Sequence, residues 1–319
     1  MTQSAPEALA RPRSGTSKQR PGDRWFSGTA VGAGITILVT LAAVALFLLI
    51  QSVPGLTATS ENAKLLSSNF WAYVWPLAFG TVWVSFLALL MAVPLSVGVA
   101  LFISHYAPRR LASALGYAVD LLAAVPSVVF GLWGILVLAP IVQPVYTWLN
   151  ANIGWFPLFA GSPSGTGRTI FTAAIVLAVM VVPIITAICR EVFLQTPVLH
   201  EEAALALGAT RWEMVRMTVF PFGRSGIISA SMLGLGRALG ETMAVAMVLS
   251  AANIVTFRLF TSANPGTIPA NIALTFPEAF GVNINVLIAT GLILFVVTFA
   301  VNAVARWVVE RRKEFSGAN

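Results

Sequence analysis

The sequence predicts an all-α polytopic membrane protein with six transmembrane helices and both termini in the cytoplasm. Three observations carry that prediction. Of 319 residues, 57% are hydrophobic and only 10% are charged, where soluble proteins carry about a quarter. Residues 29–50 contain no charge at all; as a helix they rise about 33 Å, enough for a hydrocarbon core of ~30 Å. The basic residues also segregate strongly along the chain, as the orientation rule for membrane proteins requires.

Residues 1–25 form the one stretch that reads as soluble. Arg11, Arg13, Lys18, Arg20 and Arg24 stand among Pro6, Pro12 and Pro21 with no apolar period, which predicts a disordered basic cytoplasmic tail. The first span, 29–50, lacks the short apolar region and small-residue cleavage site of a secretory signal. Further apolar runs follow at 76–104, 111–142, 170–189, 227–252 and 286–308. Pro94, Pro126, Gly131 and Pro183 lie inside them, and membrane helices tolerate such residues where neighbours re-satisfy the backbone. With both ends inside, fifteen Lys and Arg residues fall on the inner side. Three fall outside (Lys64, Arg168, Arg258), and Arg237 lies within a span. Trp71, Trp75, Trp148 and Trp155 sit near outer span ends, as interfacial aromatics do. The transmembrane domain is expected over 26–312, with a short tail at 313–319.

Several chemistries are excluded. Cys189 is the one cysteine, so there is no disulfide framework, and two histidines, His105 and His200, do not make a usual zinc set. No G-x-S-x-G elbow and no H-E-x-x-H occurs. The three lysines, Lys18, Lys64 and Lys313, each follow a residue other than Gly, so no Walker A loop can form. If ATP drives this protein, another subunit must hydrolyse it. No bound cofactor and no nucleic acid are expected for this chain.

The loop 190–224, predicted to be cytoplasmic, carries EEAALALGATRWEMVRMTVFP over 201–221. Glu201 and Glu202 open a helix where its dipole favours anions. Gly208 then bends the segment, and a second helical stretch ends before Pro221. An interfacial amphipathic loop would also suit such a segment. The spacing of Glu202, Ala203, Ala204, Gly208 and Pro221 resembles the EAA signature of ABC importer permeases, with Thr218 and Phe220 where that family usually has Ile and Leu. The resemblance implies a coupling helix that docks into an ATPase subunit.

Two more charges stand inside the span 227–252: Arg237 and Glu241. A charge at a helix centre costs about 2.5–3.5 kcal/mol on insertion scales, so such groups face the bundle interior, a partner or a wet cavity. If the helix continues, Ala230, Gly234, Arg237, Glu241 and Ala244 share one face. Gly236 and Gly240 permit close approach. Asp120 is a third such charge. Internal ion pairs that fix packing are one reading. The other gives Arg237 to a passing anion, since guanidinium offers paired donors to carboxylate or phosphate, with Glu241 orienting Arg237.

The stretches GRALGETMAV (236–245) and VDLLAAVPSVVFG (119–131) resemble PstC-type permeases of bacterial phosphate ABC importers over about 29–310. That resemblance implies the type I ABC importer permease fold in the bacterial inner membrane. It also implies a heterodimer with a sister permease, two cytoplasmic ATPase subunits that hold Mg-ATP, and an extracytoplasmic phosphate-binding protein. It places phosphate passage at Arg237 and Glu241. The sister PstA-type subunit shares similar stretches. A permease for molybdate or sulfate, and a scaffold without a solute path, are the alternative functions.

Overall fold

The computed structural model describes residues 21–313, with side chains described over 25–307. The remainder of the basic N-terminal tail, with Arg11, Arg13, Lys18 and Arg20, and the C-terminal tail beyond Lys313 lie outside the described residues. The chain divides at Phe47/Leu48 into two compact units. The described part of the first is α1 (Pro21–Leu56) up to Phe47. Its side chains from Trp25 onward are almost all exposed, as an apolar helix in lipid requires.

In the second unit, α2 (Phe70–Leu101) continues into a π-helical turn, Phe102–Tyr106. Asn69 starts α2 by accepting a hydrogen bond from Ala72 N at 2.8 Å. Next come α3 (Arg109–Ala123), α4 (Ser127–Trp133), a second π-helical turn at Gly134–Leu138, and α5 (Ala139–Ile153). After a loop, α6 (Ile170–Leu194) begins at Thr169, whose hydroxyl accepts from Thr172 N. The short α7 (Val198–Ala206) and α8 (Arg211–Met214) lead through a third π-helical turn, Val215–Val219, into α9 (Phe220–Gly240). Then come α10 (Met243–Val248), the strand pair β1 (Ala251–Ala252) and β2 (Asn264–Pro265) in parallel, α11 (Ile268–Thr275) and α12 (Val282–Lys313). Among the described residues, five helical stretches are long and apolar enough to cross a membrane: Trp25–Leu56, Phe70–Tyr106, Ser127–Ile153, Ile170–Leu194 and Val282–Trp307.

The core is built around α6, which packs between α2 and α9. Leu177, Val181, Ile185, Cys189 and Phe193 on α6 are fully buried. Small residues on α9 let the two helices close up: added Cβ atoms at Gly223, Gly226 and Gly234 would meet Phe193, Val192 and Val181 within 3 Å. A second cluster at the other end joins Phe70, Val74 and Leu77 of α2 to Ile268 and Val286. There Thr81 Oγ1 accepts from Ile268 N at 2.9 Å, and Tyr73 donates to Asn271 at 2.6 Å. Gly80 backs directly onto the Gly266 carbonyl, where no side chain fits.

Two predicted spans are corrected. The apolar run 111–142 is two elements, because Pro126 is extended (φ −59°, ψ 140°) and ends the path of α3. At 15 residues, α3 rises only about 22 Å, too short to cross, and the apolar rod is Ser127–Ile153 instead. The run 227–252 is also broken. Its helix starts earlier, at Phe220, and stops at Gly240, with Glu241 extended (φ −68°, ψ 127°). The close-approach role given to Gly236 and Gly240 falls to Gly223, Gly226 and Gly234, since the former two face open space.

Asn264, fully buried, ties the irregular segment after α10 to the start of α6. Its Oδ1 accepts from Ile170 N at 2.9 Å, and its Nδ2 lies within 3.3 Å of the carbonyls of Arg168, Ser250 and Ser262. Asn264→Leu strands these groups, and thermal unfolding in detergent should show a loss of roughly 2–3 kcal/mol. At α8, Thr210 and Glu213 form a reciprocal capping box. The Thr210 N–H and hydroxyl hold the Glu213 carboxyl below the usual carboxylate range, so the box is intact at neutral pH and opens only as pH falls through that lowered value. Thr210→Ala should cost about 0.5–2 kcal/mol of local stability, read as faster amide exchange over 211–219 at neutral pH.

Candidate functional site

The site is organised by the interruption after Gly240. Two residues, Glu241 and Thr242, separate α9 from the short α10, and the Thr242 carbonyl already accepts from Ala246 N at 3.0 Å, the first helical bond of α10. Glu241 turns back to its own chain: its Oε1 accepts from Ala244 N at 3.0 Å and caps α10. The helical face expected to join Arg237, Glu241 and Ala244 is therefore cut after its second turn. Among the described ion pairs, Arg237 and Glu241 are not partnered, so Glu241 shapes the break rather than orienting Arg237.

Arg237 stands in the last turn of α9 and is half-buried. Its Nε is buried and makes no hydrogen bond among the described residues, and no described carboxylate lies within ion-pair reach. A partly desolvated guanidinium carries a cost that a counter-charge would offset. Beside it, Leu233, Gly236 and Gly240 line one side of α9. Leu233 is exposed, and nothing lies within 4 Å of Cβ positions at Gly236 or Gly240. So the helix is packed on one side by glycines and open on the other, with the cation at the boundary.

The two stretches singled out in the sequence meet here. α4 packs on α10, and an added Cβ at Gly131 would sit 3.0 Å from Ala244 Cα and from Met247 Sδ. Gly134 likewise faces Val176 and Val248. Arg168, read from sequence as an outer-loop charge, folds inward: its Nη2 donates to Met247 O at 3.1 Å, at the C-terminal end of α10, while its Nε is buried without a partner. A cation at a helix C-terminus complements the dipole. Spacing in sequence gave no sign of this contact, 79 residues apart.

Asp120 does not join Arg237. It lies on α3, half exposed, with its Oδ2 3.7 Å from Arg190 Nη2, and Arg190 also donates to Glu191 at 2.9 Å. These groups line a cleft of about 560 Å³ with Ile103, Arg109 and Tyr117, at the end of α6 that leads to α7. At Gly116 the Arg190 guanidinium lies directly against the helix backbone, so a side chain there would push the guanidinium aside.

At that same end, α7 and α8 form the knob expected from residues 201–221. Glu202 and Ala203 are exposed and Ala204 is buried at 7%. Leu207 is 90% exposed, and Gly208 has φ +85°, the left-handed conformation that L side chains rarely adopt. With Val198, Leu199 and Trp212 also exposed, the knob presents an apolar surface of the kind that marks a protein contact.

Comparison with known proteins agrees with this architecture. The family described as "Binding-protein-dependent transport system inner membrane component" matches residues 92–314. "Phosphate transport system permease protein PstC 2" of Mycobacterium tuberculosis is 49% identical over 314 residues, covering 94% of this chain and 96% of that protein. The PstC proteins of Mycobacterium leprae and Mesorhizobium japonicum are 47% and 42% identical, covering 89% and 93% of this chain and 92% of each relative. The fold is similar to a chain of a bacterial ABC transporter involved in the import of the acidic polysaccharide alginate. The TM-score is 0.50 and the identity 18%, covering 73% of this chain and 79% of that one. An interrupted helix with an arginine that has no described counter-ion, an exposed apolar knob at Gly208 and these relatives lead to one conclusion: the chain belongs to the binding-protein-dependent transport inner membrane component family, among its PstC-type permeases.

Proposed function

We propose that this chain is one of two permease subunits of an ATP-driven phosphate importer, and that Arg237 contacts phosphate on its way through the membrane. The observation that carries the reading is the half-buried Arg237 without a described counter-ion, placed where α9 stops and opens on its Gly236 and Gly240 side. The PstC relatives supply the substrate class. Guanidinium suits phosphate because its paired N–H groups match two oxygens. An unpaired site that binds one anion among open small residues also releases it, as a transport path requires.

The remaining parts of the proposal are these. The interrupted α9–α10 segment makes the sixth crossing, both termini face the cytoplasm, and the fold is that of type I ABC importer permeases. The open side of α9 faces a sister permease, so the path runs between the two chains. The knob docks one of two ATPase subunits, which bind Mg-ATP, through Glu202, Ala203, Leu207 and Gly208. A phosphate-binding protein delivers its cargo to the opposite face, formed by 53–75, 143–169 and 253–285. Asp120 belongs to the cytoplasmic cleft with Arg190, on the inner side of the path. ATP-driven closure of the ATPases shifts the knob, and the bundle exchanges inward-open for outward-open states.

Arg237→Gln should cut phosphate uptake by reconstituted complexes about 10- to 100-fold, the value of a charge-assisted contact, while the subunits still co-purify. Full uptake by that variant overturns the reading. Gly208→Asp adds a Cβ and a charge at the left-handed turn. It should abolish co-purification with the ATPase or phosphate-stimulated hydrolysis, and a normal complex with normal uptake would remove the docking assignment.

A further inference from the structure

We propose that His105 and Glu201 form the tie through which the knob moves α2, making His105 a positioning residue for coupling ATP hydrolysis to transport; this rests on the docking reading above. The knob faces two ways. Glu202, Ala203 and Leu207 point outward and are exposed. Ala204 points inward and packs, with Met214, Val215 and Val219, onto the segment that becomes α9. Motion of the knob therefore reaches α9 through the chain itself and through apolar contact. The route to α2 is different. Among the described residues, one side-chain contact by hydrogen bond or ion pair joins α7 to the α2 rod: Glu201 Oε1 to His105 Nε2, at 3.3 Å.

That contact is built to hold. The two side chains are only 20% and 9% exposed, so water competes weakly. On its other edge the imidazole is fixed by Ser104 Oγ, 2.7 Å from Nδ1. The carboxylate can only accept, so the imidazole donates its Nε2–H to Glu201. His105 sits in the π-helical turn Phe102–Tyr106 that ends α2, and such turns recur at functional positions. α2 in turn lies along α6 over most of its length. A displacement of α7 by a docked ATPase is thus delivered through Glu201 to the inner end of a helix lining the core. Neither residue belongs to the outward docking face.

The experiment uses the complete complex with its sister permease, ATPase subunits and binding protein in proteoliposomes, measuring phosphate uptake and ATP hydrolysis together. His105→Ala and Glu201→Ala should keep ATPase co-purification and hydrolysis within about two-fold, yet lower phosphate imported per ATP about ten-fold, the effect of losing one buried charge-assisted hydrogen bond. Glu201→Gln keeps an acceptor and should retain the ratio within about two-fold. The double Ala variant should be no worse than the poorer single one. An unchanged ratio in both Ala variants, losses that multiply in the double variant, or Glu201→Gln behaving like Glu201→Ala would each overturn the tie. Loss of assembly with a normal ratio in the surviving complexes shows a merely structural contact and overturns it as well. Failure of the docking reading shows separately, as Gly208→Asp complexes that still co-purify with the ATPase and transport normally.

Discussion

A guanidinium without a described counter-charge, in the last turn of a helix that stops inside a bundle, is the constraint around which this structure is arranged. Hydrocarbon supplies no hydrogen bonds, so irregular backbone at membrane depth must be satisfied by protein or line a cavity. The backbone groups around the break after Gly240 are satisfied locally by protein. Glu241 caps α10 through Ala244 N, Arg168 donates to the carbonyl of Met247, and Asn264 gathers the carbonyls of the segment that follows. Glu241, the nearest carboxylate in sequence, caps α10 and makes no described ion pair with Arg237.

The packing has the same logic. α9 needs one rigid side and one open side. Gly223, Gly226 and Gly234 bring it against α6, while Gly236 and Gly240 keep the other side clear. Gly131 does for α4 and α10 what Gly234 does for α6 and α9. A rigid scaffold of α2, α6 and α9 thus joins an end stabilised by Phe70, Ile268 and Val286 to an end that carries the exposed knob.

Much of this was legible in the sequence. Long uncharged runs reveal apolar rods because the bilayer enforces length and composition together, and the spacing from Glu202 to Gly208 marks the helix–glycine–helix knob. The failures have specific physical causes. The run 111–142 is apolar enough to pass as one span, and only the geometry of Pro126 divides it. The break at Glu241 has no proline to announce it, since capping by a carboxylate three residues upstream looks, in sequence, like an ordinary i to i+4 pair. Arg168 and His105 find their partners across 79 and 96 residues, and no periodic pattern encodes contacts at such separations.

The three π-helical turns, at Phe102–Tyr106, Gly134–Leu138 and Val215–Val219, have an effect that reaches past their own length. Each accommodates one residue more than an α-helical path, and one residue is about 100° of azimuth. Helical wheels drawn straight through the α4–α5 rod or the α8–α9 junction therefore lose phase at the second and third turns, while the first closes α2. At those two points the side-chain stripe before the turn and the stripe after it belong to different wheels, and each rod acts as a pair of helical pieces set at a fixed offset.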